Sequence, residues 1–285
     1  MLRAISTHIF LKQRLHPGLL DTLNKAGAQA IEIFAARQHF DYTSRTHVKE
    51  IADWFASNPV AIHSMHAPIY SDMDGGRAGG PAVNVVHPDK SRRIDAMDEW
   101  KRALEVAETL PLKFLVLHLG EREDEWSPRT LDHAVTAIEH MRVFGKPLGV
   151  NLMLENIQNE VTKPEHLLEV IQVGHFKDVG VCFDIGHANI LDGVEATLAE
   201  LKPLIGSTHL HDNHGEKDEH LWPGEGTIAW EKSIEELKSA PRSRARNPLH
   251  AGRDNRACDY PRQGNLEAAG NLRKWQKRIQ NHPLP

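Results

Sequence analysis

The sequence predicts an α/β fold, specifically a (β/α)8 barrel, on three observations. Short runs rich in Val, Ile and Leu alternate with longer stretches of helical periodicity, the pattern of a parallel sheet covered on its outside. Seven such units follow one another at regular spacing, and no GxGxxG opens a helix after the first, which argues against an open dinucleotide-binding sheet. Five of the runs end in metal-type side chains: His63 and His66, His118, Glu155, Asp184 and His187, and His209 and His211. A parallel barrel gathers its strand C-termini into one ring, so these scattered residues would meet in one pocket.

The expected strands are 4–10, 28–34, 59–66, 113–119, 149–156, 179–185 and 205–211. Helices are expected over 16–27, 44–58 with Ser44 as N-cap, about 90–109, 163–173, 194–202 and 230–239. Two regions break the rhythm. Residues 71–93 are Gly-rich and polar, and GGRAGG without a following GK[ST] is no P-loop, leaving a surface loop or a lid over the barrel mouth. From Ser239 onward an eighth strand should appear, but PRSRARNPLHAGRDNRACDYPRQGN has no run of four apolar residues. The expected division is therefore a barrel over 1–239 and an atypical Arg-rich tail over 240–285. A shifted reading frame or a native divergent or disordered segment would each account for the tail. Without an eighth strand the barrel would expose two edges.

With 40% hydrophobic and 26% charged residues and a formal net charge of −5, the chain carries no bulk attraction for polyanions, which counts against nucleic acid as partner. Cys182 and Cys258 form no CxxC, so neither a disulfide framework nor a cysteine zinc site is indicated. No apolar run reaches membrane-spanning length and no leader is evident, which sets a cytoplasmic location as the expectation. A homo-oligomer is compatible with the sequence but not specified by it.

Of the 19 histidines, His47, His133, His140 and His166 fall on helix patterns among charges and are expected at the surface. Glu155 is different: a carboxylate closing a buried apolar strand is costly unless compensated, and a metal would compensate it. The DxxH spacing of Asp184 and His187 lets a turn aim both inward. His209 and His211 alternate along one strand and share a face, so one can bind metal while the other contacts substrate. Asp218-x-His220 on the next loop could add two ligands. Such a mixed set suits Mn²⁺, Mg²⁺, Co²⁺ or Zn²⁺; carboxylates lean to the first two and imidazoles to zinc.

These motifs together resemble the xylose-isomerase-like TIM-barrel superfamily of sugar (phosphate) isomerases and epimerases, related to endonuclease IV-type apurinic endonucleases. The resemblance covers about 4–239 and rests on HAPIY at His66, LHLG at His118, LEN at Glu155, DIGH at Asp184 and His187, HLHDN at His209, and DEHLWPGEG at Asp218 and His220. It implies a metal held by Glu155, Asp184 and His209, preferred over His211 because it lies three before the Asp of HLHD, with His187 on metal or substrate. The superfamily's strand-8 Glu has no counterpart here; Glu267 lies in LEAAG with no strand before it.

The leading expectation is a metal-dependent sugar or sugar-phosphate isomerase or epimerase. Glu155 would be the base removing a proton next to a metal-bound carbonyl, with His187, His211 and Asn156 at the substrate. One alternative is a multinuclear zinc phosphodiesterase, favoured by the additional ligands His66, His118, Asp218 and His220. Another is a sugar-binding barrel without turnover, favoured by the missing Glu.

Overall fold

The computed structural model describes residues 4–71, 81–241 and 258–259. Eight parallel strands close a barrel in sequence order: β1 Ala4–Ser6, β2 Ala30–Phe34, β3 Ala61–His66, β4 Phe114–Leu117, β5 Asn151–Glu155, β6 Gly180–Asp184, β7 Ile205–Leu210 and β8 Cys258–Asp259. The (β/α)8 expectation holds. The Arg-rich tail, in which no apolar run marks a strand, contributes the two-residue β8 among its described residues. Its backbone pairs with β7 at His209–Cys258 and with β1 at Ala4–Cys258. Glu267 and the rest of the tail's expected irregularity lie outside the described residues, as does 72–80 of the expected surface loop or lid. The remainder of that region is not loose: Ala82 bridges Tyr70, and Val83, Val85 and Val86 are buried in the core.

Helices α1 Pro17–Lys25, α2 Arg45–Ser57, α3 Lys90–Glu105, α4 Pro128–Gly145, α5 Pro164–Val173, α6 Ile185–Ile190, α7 Val194–Leu201 and α8 Trp230–Lys238 fill the connections. Ser44 caps α2 by accepting from the His47 backbone N–H, as its sequence position indicates. Helices α4 and α6 are absent from the sequence-based expectation. The start of α4 was nevertheless written in the chain, since Ser127 caps it and Pro128 occupies its first turn. Strand 1 is shorter than expected. After Ser6 the chain tightens into a 3-10 turn over Thr7–Phe10, with the Ser6 hydroxyl accepting from the His8 N–H.

The alternation of strand side chains sorts the core into two layers. Ile31, Ile33, Leu115, Leu117, Leu152, Leu154, Val181 and Phe183 face outward against helix residues such as Leu20, Ile51, Trp100, Ile138 and Leu167. Their inward neighbours Phe114, Val116, Met153 and Cys182 form a separate plug inside the barrel. Burying each large outward side chain contributes about 1.5–3 kcal/mol. That sum allows the barrel to carry a costly polar cluster one step further along the same inward rows.

Candidate metal centre

Three inward rows run from the apolar plug to a metal-type side chain two residues on, Val116 to His118, Met153 to Glu155 and Cys182 to Asp184, and a fourth runs from the polar Ser207 to His209 and then His211. The structure therefore brings together His66, His118, Glu155, Asp184, His187, His209, His211, Asp218 and His220. Their donor atoms fall into overlapping groups, each compact enough for one ion: His66, His118 and Glu155; Glu155, Asp184 and His187; Glu155, Cys182 and His209; and His187, His211, Asp218 and His220.

The first group is built from strand ends. His66 Nε2, His118 Nε2 and Glu155 Oε2 converge, with His66–His118 at 3.1 Å, His118–Glu155 at 3.2 Å and His66–Glu155 at 3.3 Å. The tautomer of His66 is set by its other nitrogen. Nδ1 lies 2.8 Å from the Ala67 carbonyl, which can only accept, so Nδ1 carries the proton and Nε2 presents a lone pair. Phe34 stacks on the His66 ring with centroids 4.6 Å apart, fixing its plane.

Glu155 turns its second oxygen the other way. Oε1 lies 3.0 Å from His209 Nδ1 and 3.6 Å from His187 Nδ1. His209 is in turn held from behind, because its Nε2 lies 3.3 Å from the Glu32 carboxylate, which also accepts from Ser64 Oγ at 2.7 Å. Asp184 ends β6 and caps α6 by accepting from the His187 N–H at 2.8 Å. Its carboxylate also meets His211 Nε2 at 3.0 Å.

The last group sits on α6, the end of β7 and the loop beyond. His187 Nδ1 donates to the Asn156 carbonyl at 3.0 Å, which leaves Nε2 facing Asp218 Oδ2 at 3.7 Å. His220 Nε2 meets Asp218 Oδ2 at 2.8 Å, and the His211 and His220 rings stack with centroids 4.1 Å apart. The loop is clamped by the buried Asp212. Its side chain accepts from the backbone N–H groups of Asn213, Gly224 and Ile228 and from Trp230 Nε1.

The electrostatics identify what this cluster is suited to hold. Glu32, Glu155, Asp184 and Asp218 have histidines as their ion-pair partners. Burial raises the pKa of each carboxylate, but the imidazoles outweigh it. Glu32 ends at about 2, and Glu155, Asp184 and Asp218 also lie below the usual range. Burial opposes the charge on His187, yet Asp184, Glu155 and Asp218 raise it to about 10; His209 is raised too. The site thus gathers more negative charge than neutral imidazoles can balance, and balances it with protons on nitrogens that are metal donors once deprotonated. The donor set fits a divalent cation.

Several expectations change in detail. His63, the other ligand-type residue of strand 3, lies below the cluster, 3.3 Å from Ser207 Oγ and edge-on to Phe114; burial lowers its pKa to about 4. Asn156, expected at the substrate, has both ends of its amide bonded to the Asp184 backbone and straps β5 to β6. His47, expected at the surface, is buried. Its Nε2 donates to the Leu15 carbonyl and its Nδ1 accepts from the Asp41 N–H, so tertiary partners satisfy a ring that helix periodicity placed outside. Glu32 was missed, although a Glu inside the apolar strand AIEIF is the same kind of anomaly that marks Glu155.

Residues 20–243 match the family described as Xylose isomerase-like TIM barrel. An uncharacterised protein of Methanocaldococcus jannaschii is 29% identical over 246 residues, covering 82% of this chain and 78% of that one. A probable endonuclease 4 of Halobacterium salinarum is 28% identical over 166 residues, covering 51% of this chain and 59% of that protein. Among solved structures, a D-tagatose 3-epimerase-like protein superposes with a TM-score of 0.78 at 24% identity, covering 99% of this chain and 97% of that one. The IOLI protein with a bound zinc atom superposes at 0.77 and 18% identity, covering 98% and 97%. With the barrel and a match over most of its length, the chain belongs to the xylose isomerase-like TIM barrel family.

Proposed function

We propose that the chain is a metal-dependent enzyme of small sugars or sugar phosphates, and that its site is best suited to hydrolysing a phosphoester with more than one cation. One observation carries this reading: the two oxygens of Glu155 face two different donor groups. Oε2 belongs with His66 and His118, and Oε1 belongs with His209, whose Nδ1 also lies 3.8 Å from the Asp184 carboxylate. A carboxylate placed this way could serve two neighbouring ions, whereas a mononuclear isomerase needs no second donor group. Divalent cations bound here would supply Lewis acidity toward a phosphoryl oxygen and a lowered pKa for water.

The protein's own residues do the rest. Glu155, Asp184 and His209 would hold one position and His66 and His118 the next. His118, at 20% side-chain exposure the most open of the strand-end ligands, stands where substrate enters. Glu32 and the Asn156 carbonyl fix the ring orientations of His209 and His187 and thereby the direction of their lone pairs. The plug of Phe114, Val116, Met153 and Cys182 seals the site from below.

A small substrate is supported by a cavity of about 270 Å³ beside His118, whose polar walls include Tyr70, Glu121, Arg122 and Glu123. Acidic walls and the net charge of −5 disfavour an extended nucleic acid. The same cavity favours a second reading, proton transfer on a sugar with Glu155 as base, as in an epimerase.

The discriminating experiment loads the protein with Zn²⁺ or Mn²⁺ and assays a phosphodiester dye, a panel of sugar phosphates, and ketoses in deuterated water. More than one ion per chain with phosphoester cleavage is expected. One ion per chain with deuterium uptake into a ketose would replace this reading with the second.

A further inference from the structure

The segment leading into α3 carries positive charge that the metal reading leaves unused. We propose that His87 and Arg92 form an oxyanion site at the barrel mouth, which holds a phosphate group of the substrate remote from the bond that reacts. The substrate class is then a polyol bearing a second phosphate. The inference rests on the reading of the chain as an enzyme of small sugar phosphates.

The first observation is a contact between two donors. His87 Nδ1 lies 2.9 Å from the Asp89 backbone nitrogen, whose N–H can only donate, so Nδ1 has the lone pair and Nε2 carries the proton. That Nε2–H meets Arg92 Nη1 at 3.2 Å, and a guanidinium also only donates. Neither group can satisfy the other. An oxyanion set between them would replace this contact by two hydrogen bonds, one of them from a charged donor. The end of α3 is not itself the site, because Asp89 already accepts from the Ser91 and Arg92 N–H groups.

The second observation is charge without a counter-ion. Arg37, Arg102 and Arg142 each meet a carboxylate. Arg93 instead donates to the His87 and Pro88 carbonyls, and Arg129 donates to the Pro88 carbonyl. Together they fasten the backbone that carries His87 and add two charges beside Arg92. Burial, and after it the charges of Arg93 and Arg129, hold the nearby His133 imidazole below its ordinary pKa. The third observation is placement. His87 and Arg92 line a cavity of about 70 Å³ that shares Ala82, Val83 and Glu121 with the cavity beside His118. Helices α3 and α4 start on the face where the strands end, so this patch looks onto the same mouth. Asp95 and Glu121 also line the smaller cavity; they repel a bare polyanion but accept hydrogen bonds from hydroxyls. Donors for an oxyanion beside acceptors for hydroxyls suit a phosphorylated polyol.

Two measurements on the full chain separate this site from the metal reading. In calorimetric titration of metal-free protein with inorganic phosphate, saturable binding is expected. It should weaken by about tenfold or more in Arg92→Gln and in His87→Ala, and stay unchanged in Arg45→Gln, which removes an exposed arginine at the start of α2. In phosphate release by the metal-loaded protein, KM for fructose 1,6-bisphosphate should lie about tenfold or more below that for fructose 6-phosphate, and Arg92→Gln should remove most of that difference. Phosphate binding that ignores both substitutions overturns the site, whatever the chain turns over. Binding that depends on both residues, with no phosphate released from any ester, leaves an oxyanion site standing and overturns the phosphoester reading. Equal KM values for the two esters overturn the assignment of the site to substrate. Salt-sensitive binding of a single-stranded oligonucleotide, lost in Arg92→Gln, would put a nucleic acid in place of the phosphorylated polyol.

Discussion

The two ends of the ligand ring reach the same kind of chemistry by different means. His66, His118 and Glu155 are placed by strand register, so their donor atoms stand 3.1–3.3 Å apart because the barrel stands. His187, His211, Asp218 and His220 depend on a short helix and a loop, and the loop depends on Asp212, whose carboxylate gathers four donors. The strand-borne end is preorganised by the core. The loop-borne end is preorganised by a polar clamp that can be broken without touching the core. Rigidity there is local, and it should be separable.

The largest effect is expected where the two ends join. Glu155→Ala removes the carboxylate that faces His66 and His118 with one oxygen and His209 with the other, and turnover should fall by about 10²–10⁴-fold, with metal content dropping below that of any other single variant. Activity assays and elemental analysis of the same sample check this.

Next comes the clamp. Asp212→Ala leaves buried N–H donors without acceptors, at about 1–3 kcal/mol each where no water replaces the carboxylate. Amide exchange in 213–228 should quicken, while metal held by His66 and His118 stays. Loss of that metal as well would show that the two ends are not separable.

Glu32 probes the strand-borne side from behind. Glu32→Gln keeps the shape but removes the charge facing His209 Nε2, and metal affinity should weaken by about 10–100-fold with little change in the loop's amide exchange. Titration calorimetry with the chosen ion measures it.

The smallest effect separates acid loss of the fold from acid loss of the site. Burial lowers His39 to about 4, while its Nδ1 donates to the Gln13 carbonyl at 2.6 Å. A folded pKa below the unfolded value of 6.5 means the neutral ring is favoured. Its contribution is therefore complete above pH 6.5 and shrinks as pH falls toward 4, by at most about 1.4 kcal/mol per unit. Urea unfolding of His39→Gln should show a shallower decline over that window, with metal binding at neutral pH unchanged.

The same contrast explains what could be read in the chain. The strand-borne ligands were legible because each closes an apolar run of strand length, and the period of two fixes which side they face. Glu32 carried the same mark within AIEIF, but its function lies in a contact with His209, 177 positions away, which no local pattern contains. His47 illustrates the reverse: its helix face looked exposed until the Leu15 carbonyl covered it. Asp218 and His220 could be noticed only by their place after β7, since the Asp212 clamp that orders their loop is made with three backbone N–H groups and the indole of Trp230. A strand of two residues, Cys258–Asp259, is too short for periodicity to reveal.

The most direct measurement of the central claim is anomalous scattering at the zinc edge from crystals of the zinc-loaded protein. Two peaks flanking the Glu155 carboxylate, about 3.5–4 Å apart, are expected if that side chain bridges two ions. A single peak bound by both Glu155 oxygens, or none near Glu155, would contradict it.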